Sequence, residues 1–503
     1  MPHFVKSNGE FFRYNAFSIE KNLRKWYIMK SFKQQSLFPE FSMSINRYNM
    51  DMCNGPLLGK MIRYAIPLAI TYILQLTFHA ADLIIIGNFG SYKSMASIGT
   101  TADLINLMVN MLVGISVGAN ILAAQYYGAK DRKKLSRTIH TSMCFALWGG
   151  VFMAVFGILG CVSALKMIHV PDEILPKSAL YMRIIFCGLP FSMIYNFGCS
   201  ILRAGGDTQR PLYFLIAAGI VNVVLNILLV AAFKWDVAGV AVATVISQGL
   251  SAWLVIKAMT GARGASRLIL KNLRIDWQTL KRLLAFGVPA GVQGIFFSIS
   301  NIIIQGAINT FGSQAMAGMT ATVCMEWLLY SAVHSAQQTT IVFVGQNFGA
   351  GKSGRIMRSL WIGFAGAALI GLVLGGIMTA AGRLLMGLFN SDPDVVAWGL
   401  KRIKIVFTTY FLCGLMDVAA GGLRGLGHAI IPTVSALLFA CGFRIFWIET
   451  AFDASRTIET LVWAYPLSWI ITGAVNGIFL YWFCKKMLQK SNGSASYAML
   501  NKN

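Results

Sequence analysis

Twelve apolar blocks, each long enough to cross a bilayer, run through this chain between residues 61 and 484 and leave room for little else. They lie at 61–87, 97–126, 138–163, 178–203, 210–233, 237–259, 280–309, 315–347, 356–384, 395–423, 430–449 and 459–484. A hydrocarbon core needs about 20 helical residues to span it. The longer blocks must therefore tilt or project beyond it. Backbone groups in lipid have to be satisfied within the segment, which selects helices. A β-barrel would need short alternating segments. The expected fold is an all-α polytopic membrane protein with twelve transmembrane helices. Charged residues make up 12% of the chain, about half of the roughly 25% usual in soluble domains. That excludes a soluble globule, a disordered chain and a coiled coil.

The net charge of +24 would suggest nucleic acid in a soluble protein. Here the basic residues form short clusters between apolar blocks, which is the pattern that sets membrane orientation. With the N-terminus inside, 32 of the 43 Lys and Arg fall on the inner side. Both termini are then cytoplasmic. No nucleic-acid partner is expected. Residues 1–55 are polar and basic and lack the apolar core of a signal peptide. Two readings stand for them: translation starting near Met50 or Met52, or a basic arm touching anionic lipid. The nine Cys form no CxxC pair and read as small packing residues.

The chain repeats itself. LGKMIRYAIP at 58–67 resembles LKRLLAFGVP at 280–289, and Phe89-Gly90-Ser91 returns as Phe311-Gly312-Ser313. Gln125-Tyr-Tyr-Gly-Ala returns as Gln346-Asn-Phe-Gly-Ala, and Leu202-Arg203 as Leu423-Arg424, at an offset of 221. Six spans per repeat is an even number, so both halves enter from the same side and are related by a parallel pseudo-two-fold axis. The expected organisation is an N-terminal extension 1–55, an N-lobe 56–260, a linker 261–279, a C-lobe 280–487 and a tail 488–503. Two like bundles around a central cavity suit alternating access.

In the first span Thr71, Gln75, His79 and Asp82 fall within about 80° of one helix face. An intramembrane carboxylate is a functional candidate by default. The reading is a cation or proton site at Asp82, against a local capping role. Asn222 and Asn226 share one face of the fifth span, with Asn196 and Thr244 in neighbouring spans. They supply neutral oxygens around Asp82, or else interhelical hydrogen bonds. In the second half Gln293, Asn301, Gln305 and Asn309 line the seventh span without an acid, and Glu326, Tyr330, His334 and Gln338 form an i,i+4 ladder in the eighth. Glu326 is the candidate for an organic cation or a proton there. Gln75, His79, Gln293, Asn301 and Tyr330 join it as expected cavity lining. His334 reads as a hydrogen-bonded core residue, Asp417 as a weaker third acid, and Arg444 as a partner for an outer-end carboxylate such as Glu449. QNFGAGKS at 346–353 lacks the first Gly of a phosphate loop and follows a membrane helix. Gly128 and Gly349 read instead as helix ends, and Gly114-xxx-Gly118 and Gly371-xxx-Gly375 as close helix packing. No nucleophile–base pair or metal cluster stands out, so no enzyme is expected.

These residues resemble a family. MDMCNGPLLGKMIRYAIPL, AADLIIIG, QYYGAKD, LPFSMIYNFGCSILRAGGDTQRP, NVVLN and GVAVATVISQ are similar to the multidrug and toxic compound extrusion (MATE) family, as are QNFGAGK, LRGLGHAIIP, FRIFWI and YPLSWI. The resemblance covers residues 50–487. It implies two six-helix lobes in a V and export of bulky, often cationic or amphipathic compounds by Na+ or H+ antiport. It places the N-lobe acid on Asp82 and its partners on Asn196, Asn222 and Thr244. Where the family often has Asp, this chain has Asn226, and the Glu of the family's seventh helix is absent. The implied requirements are no cofactor, no metal beyond a Na+ at the Asp82 site, small-molecule substrates, surrounding lipid and a monomer. The alternative is a lipid-linked precursor flippase of the same superfamily, which would want a cationic cavity. The acidic candidates Asp82 and Glu326 favour cationic cargo.

Overall fold

The computed structural model describes residues 50–89, 91–262 and 264–500. The N-lobe comprises α1 (Leu57–Phe89), α2 (Tyr92–Gly128), α3 (Arg132–Met167), α4, α5 (Gln209–Ala232) and α6 (Asp236–Thr260). The C-lobe comprises α7 (Trp277–Asn309), α8 (Ser313–Gly349), α9 (Ser353–Ala380), α10, α11 (Ile430–Ser455) and α12 (Ile458–Leu500). Two spans are broken: α4 into Leu175–Cys187 and Leu189–Ala204, bent by 44°, and α10 into Pro393–Val406 and Tyr410–Gly425, bent by 47°. The second parts of the two spans start at Leu189 and Tyr410, 221 residues apart, the repeat offset itself. Among the described residues nine unbroken helices are apolar enough to cross a membrane on composition, and the bent pairs add two. The twelfth span is α8, whose Glu326, His334, Gln337 and Gln338 dilute its hydropathy. The tail expected at 488–503 continues α12 as helix to Leu500.

Turns repeat as well. Gly206 and Gly427, also 221 apart, take left-handed φ of +95° and +91°, which only glycine adopts without strain. Each lets the chain leave one helix and enter the next within a few residues.

Small residues bring the lobes into backbone contact. A Cβ on Gly114 would strike the backbone of Gly291, and one on Gly287 would strike that of Ile115. Gly371 and Gly375 seat α9 on the backbone of Phe411 and Phe407 in the same way. Lipid tails give helices no hydrophobic reason to associate, so such close van der Waals packing carries the association. At the ends of α2 and α8 the contact is reciprocal. Gly128 lies on the carbonyl of Gln346, and Gly349 lies on the carbonyl of Gln125. A pair in which i meets j and j meets i marks a two-fold axis, which here passes between α2 and α8.

The same end is closed further by side chains from both lobes. Gln346 Nε2 donates to the carbonyl of Ala204 at 2.6 Å, and Gln125 Nε2 to that of Gly425 at 3.0 Å. Tyr64 packs edge-on against Phe343. A strap at residues 50–55 crosses to the C-lobe. Lys352 Nζ donates to the carbonyl of Cys53 at 2.9 Å, and Arg355 to those of Met52 and Gly55 at 3.1 and 3.0 Å. At the other end, the far parts of α1, α7 and α8 are exposed at Thr77, His79, Ile299, Asn301, Ile302 and Trp327. The lobes are thus sealed at the end that carries the basic loops.

Candidate functional site

The N-lobe site is a hydrogen-bonded chain across three helices. Asn226 Nδ2, on α5, donates to Asp82 Oδ1 on α1 at 2.6 Å and to Asn222 Oδ1 at 3.2 Å. Asn222 Nδ2 donates in turn to Thr244 Oγ1 on α6 at 3.4 Å. Asn226 is fully buried, and among the described residues its Oδ1 has no partner. A buried carbonyl oxygen without a donor costs of the order of 1–3 kcal/mol. Beside a carboxylate, it is an acceptor positioned for a cation or a proton. Ile85, Ile86, Val230 and Val240 wall the site, with Tyr181 packed against them. Immediately after Asn226 the helix widens into a π turn, Ile227–Ala232. Such turns gather at functional sites in helices.

The other expected N-lobe residues are placed apart from this chain. Asn196 turns back on its own helix, donating to the Ser192 carbonyl at 2.9 Å. Thr71 is buried and donates to the Pro67 carbonyl one turn back on its own helix at 2.7 Å. His79 is exposed, and Gln75 is half-buried.

The C-lobe differs from the sequence reading. Glu326 is not an open acid: Arg402 Nη2 donates to its Oε2 at 2.6 Å, and Arg402 is itself 2% exposed. Arg444 meets no Glu449. Its Nε donates to Ser468 Oγ at 3.0 Å, and its guanidinium lies 4.5 Å from the Tyr465 ring. The physical reason is that α11 turns Arg444 inward against α12, while Glu449 lies in the next π turn, Ile448–Phe452. His334 is held by Tyr330 at 3.3 Å and Gln338 at 3.1 Å, with Asp417 at 3.8 Å and the Tyr72 ring of the N-lobe at 5.3 Å. Gln293 accepts from Arg424 at 2.6 Å. Asn301 is exposed.

The sequence reading missed Arg402, Arg424 and Tyr465. The repeat offset held the signal. Arg402 stands where the N-lobe has Tyr181, Tyr465 where it has Thr244, and Arg444 where it has Val223. The halves share a scaffold but differ at these three polar positions.

A profile described as MatE matches residues 67–228 and 289–447, one match in each half of the repeat. The chain belongs to the MATE family. A "Probable multidrug resistance protein YoeA" of Bacillus subtilis (strain 168) is 26% identical over 424 residues, covering 82% of this chain and 91% of its own. A "FAD transporter" of Shewanella oneidensis is 21% identical over 456 residues, covering 87% and 96%. A solved structure titled as the outward-facing conformation of a multidrug resistance MATE family transporter superposes with a TM-score of 0.81 at 17% identity, over 88% of this chain and 99% of that one. This MATE chain is a multi-pass membrane transporter of two six-helix lobes. The twelve spans expected from the apolar blocks, and their parallel repeat, are those of the family fold.

Proposed function

We propose that this MATE protein is a secondary active exporter of amphipathic organic compounds, cationic ones among them, driven by H+ or Na+ antiport at Asp82. The observation that carries the reading is the orphaned, fully buried Asn226 Oδ1 next to the one carboxylate of the N-lobe site. A carboxylate and amide and hydroxyl oxygens form a hard donor set, suited to a proton or a small hard cation. The closure at the basic end supports an outward-open state. In this reading that end and both termini are cytoplasmic, and the protein acts as a monomer in the bacterial inner membrane. An ion entering from outside occupies Asp82, the α1–α5 contact rearranges, and the substrate leaves outward. One charge falling through 100 mV supplies about 2.3 kcal/mol, enough for a substrate gradient of roughly 40-fold. The names of the multidrug relatives are consistent with this role.

The test is ethidium efflux from cells with an imposed proton or Na+ gradient, wild type against Asp82→Asn at equal expression. Wild type is expected to extrude the dye under one gradient, which names the ion, and Asp82→Asn to fail. Equal efflux by the variant would make Asp82 structural. No efflux by wild type under either gradient would remove the multidrug reading.

A further inference from the structure

The centre of the C-lobe holds more positive charge than it neutralises. Arg402 and Arg444 lie 4.8 and 4.5 Å from the same Tyr465 ring. Glu326 compensates Arg402 at 2.6 Å. Arg444 has no such partner: among the described residues no carboxylate lies within ion-pair distance of it. It is 3% exposed, Ser468 takes its Nε, and its other contacts are the faces of Tyr465 and of Phe297, at 6.0 Å. A guanidinium carries five N–H donors; among the described residues only the Nε donor of Arg444 has a protein acceptor. A buried charge left unpaired is costly, and a ring face offsets only part of that cost.

Two further features bear on this site. The α11 helix is wound wide on both sides of Arg444, in the π turns Ala436–Gly442 and Ile448–Phe452. The second of these has an N-lobe counterpart at Ile227–Ala232; the first has none. Finally, Val223 occupies the Arg444 position in the N-lobe, so the repeated scaffold does not require an arginine there.

We infer that Arg444, Ser468 and the rings of Tyr465 and Phe297 form an anion subsite that takes the carboxylate or phosphate of an aromatic substrate. The free edge of the guanidinium accepts a planar or tetrahedral oxyanion through two parallel N–H donors, a geometry arginine favours. The rings receive the apolar body. With Asp82 alone in the N-lobe site, the transporter is bipolar: cation coupling in one lobe and an organic anion in the other. This deepens the export reading and rests on it, because it names what is exported.

The experiment is equilibrium binding of carboxyfluorescein to the purified full chain in nonionic detergent, read by anisotropy, with ethidium as the cationic comparison. Saturable carboxyfluorescein binding is expected. Arg444→Gln should weaken it at least tenfold, and Arg444→Lys, which keeps the charge but not the two parallel donors, should recover only part of that loss. Ethidium binding should change less than twofold in either variant. Thermal unfolding of Arg444→Lys near that of wild type shows that the fold persists. Competition by phenyl phosphate supports a soluble organic anion. Competition by short-chain phosphatidic acid alone would overturn that occupant in favour of a lipid headgroup. Unchanged carboxyfluorescein binding in Arg444→Gln, or equal loss of both dyes, would overturn the subsite. Binding needs no gradient, so a failure of antiport leaves this result standing and the two readings fail separately.

Discussion

Replacing Gly349 by Ala should open the sealed end of the transporter. A Cβ at this position falls on the carbonyl of Gln125, which belongs to the backbone of α2 and cannot rotate away. Its backbone φ is outside the left-handed region, so alanine strains nothing locally. Overpacking of this kind costs about 1–3 kcal/mol. The cost falls on the closed end alone, because the contact exists only while α2 and α8 meet. At about 1.4 kcal/mol per decade, the ratio of open to closed should rise about 5- to 150-fold. The protein has its own reporter. Cys53 Sγ, in the strap, lies 3.7 Å from the carbonyl of Gln346. Burial, and then the neighbouring Asp51 carboxylate, push its thiol above the ordinary range, and only the thiolate reacts with a maleimide. Opening that end both uncovers the sulfur and relieves its burial. The assay is labelling of Cys53, as the single cysteine, by a membrane-impermeant maleimide in inverted vesicles. The Gly349→Ala rate should exceed wild type by the population factor. Gly354→Ala, whose Cβ meets nothing within 4 Å, is the control and should leave the rate unchanged. Equal rates for Gly349→Ala and wild type, or equal acceleration by both variants, would refute the idea that glycine contact holds the end shut.

Two further outcomes follow from the ion pairs and caps. Arg402→Met strands Glu326 in the C-lobe interior and should lower stability by about 3–5 kcal/mol, whereas Arg402→Met with Glu326→Met should recover most of it; thermal unfolding of the purified protein checks both, and a double variant no better than the single would contradict the pairing. Asp276 caps α7, its Oδ1 accepting from the Thr279 amide at 2.8 Å, and that bond holds its carboxyl below the ordinary range. Its contribution is therefore complete above the ordinary carboxylate pKa of about 3.9 and is lost as pH falls through the lower folded value. Asp276→Asn should lack this share of the acid-side loss in a melting series from pH 6 to pH 3.

The pairing of Asp82 with Asn226 and Asn222 was legible because helical spacing puts each set on one face, and a carboxylate among apolar residues is conspicuous. Glu326 was equally conspicuous and was read as open, because its partner Arg402 lies 76 residues away on another helix. Periodicity within one helix carries no information about which faces of two helices meet. Asn196 had the residue type for the site, but its rotamer satisfies the Ser192 carbonyl on its own helix.

The sequence by itself determined the twelve crossings, their common direction in the two halves, the six-helix repeat and the family. Each of these follows from local composition: a segment is apolar over a bilayer's thickness or it is not, and a match at an offset of 221 is visible without coordinates. Only the tertiary structure decided which charges are compensated, that Arg444 faces Tyr465 and Ser468 with nothing acidic beside it, and that the lobes close at the basic end through Gly128 and Gly349. Those facts depend on a few ångströms between distant helices. The balance of a buried charge is set by its nearest neighbours in space, which the order of residues along the chain does not specify.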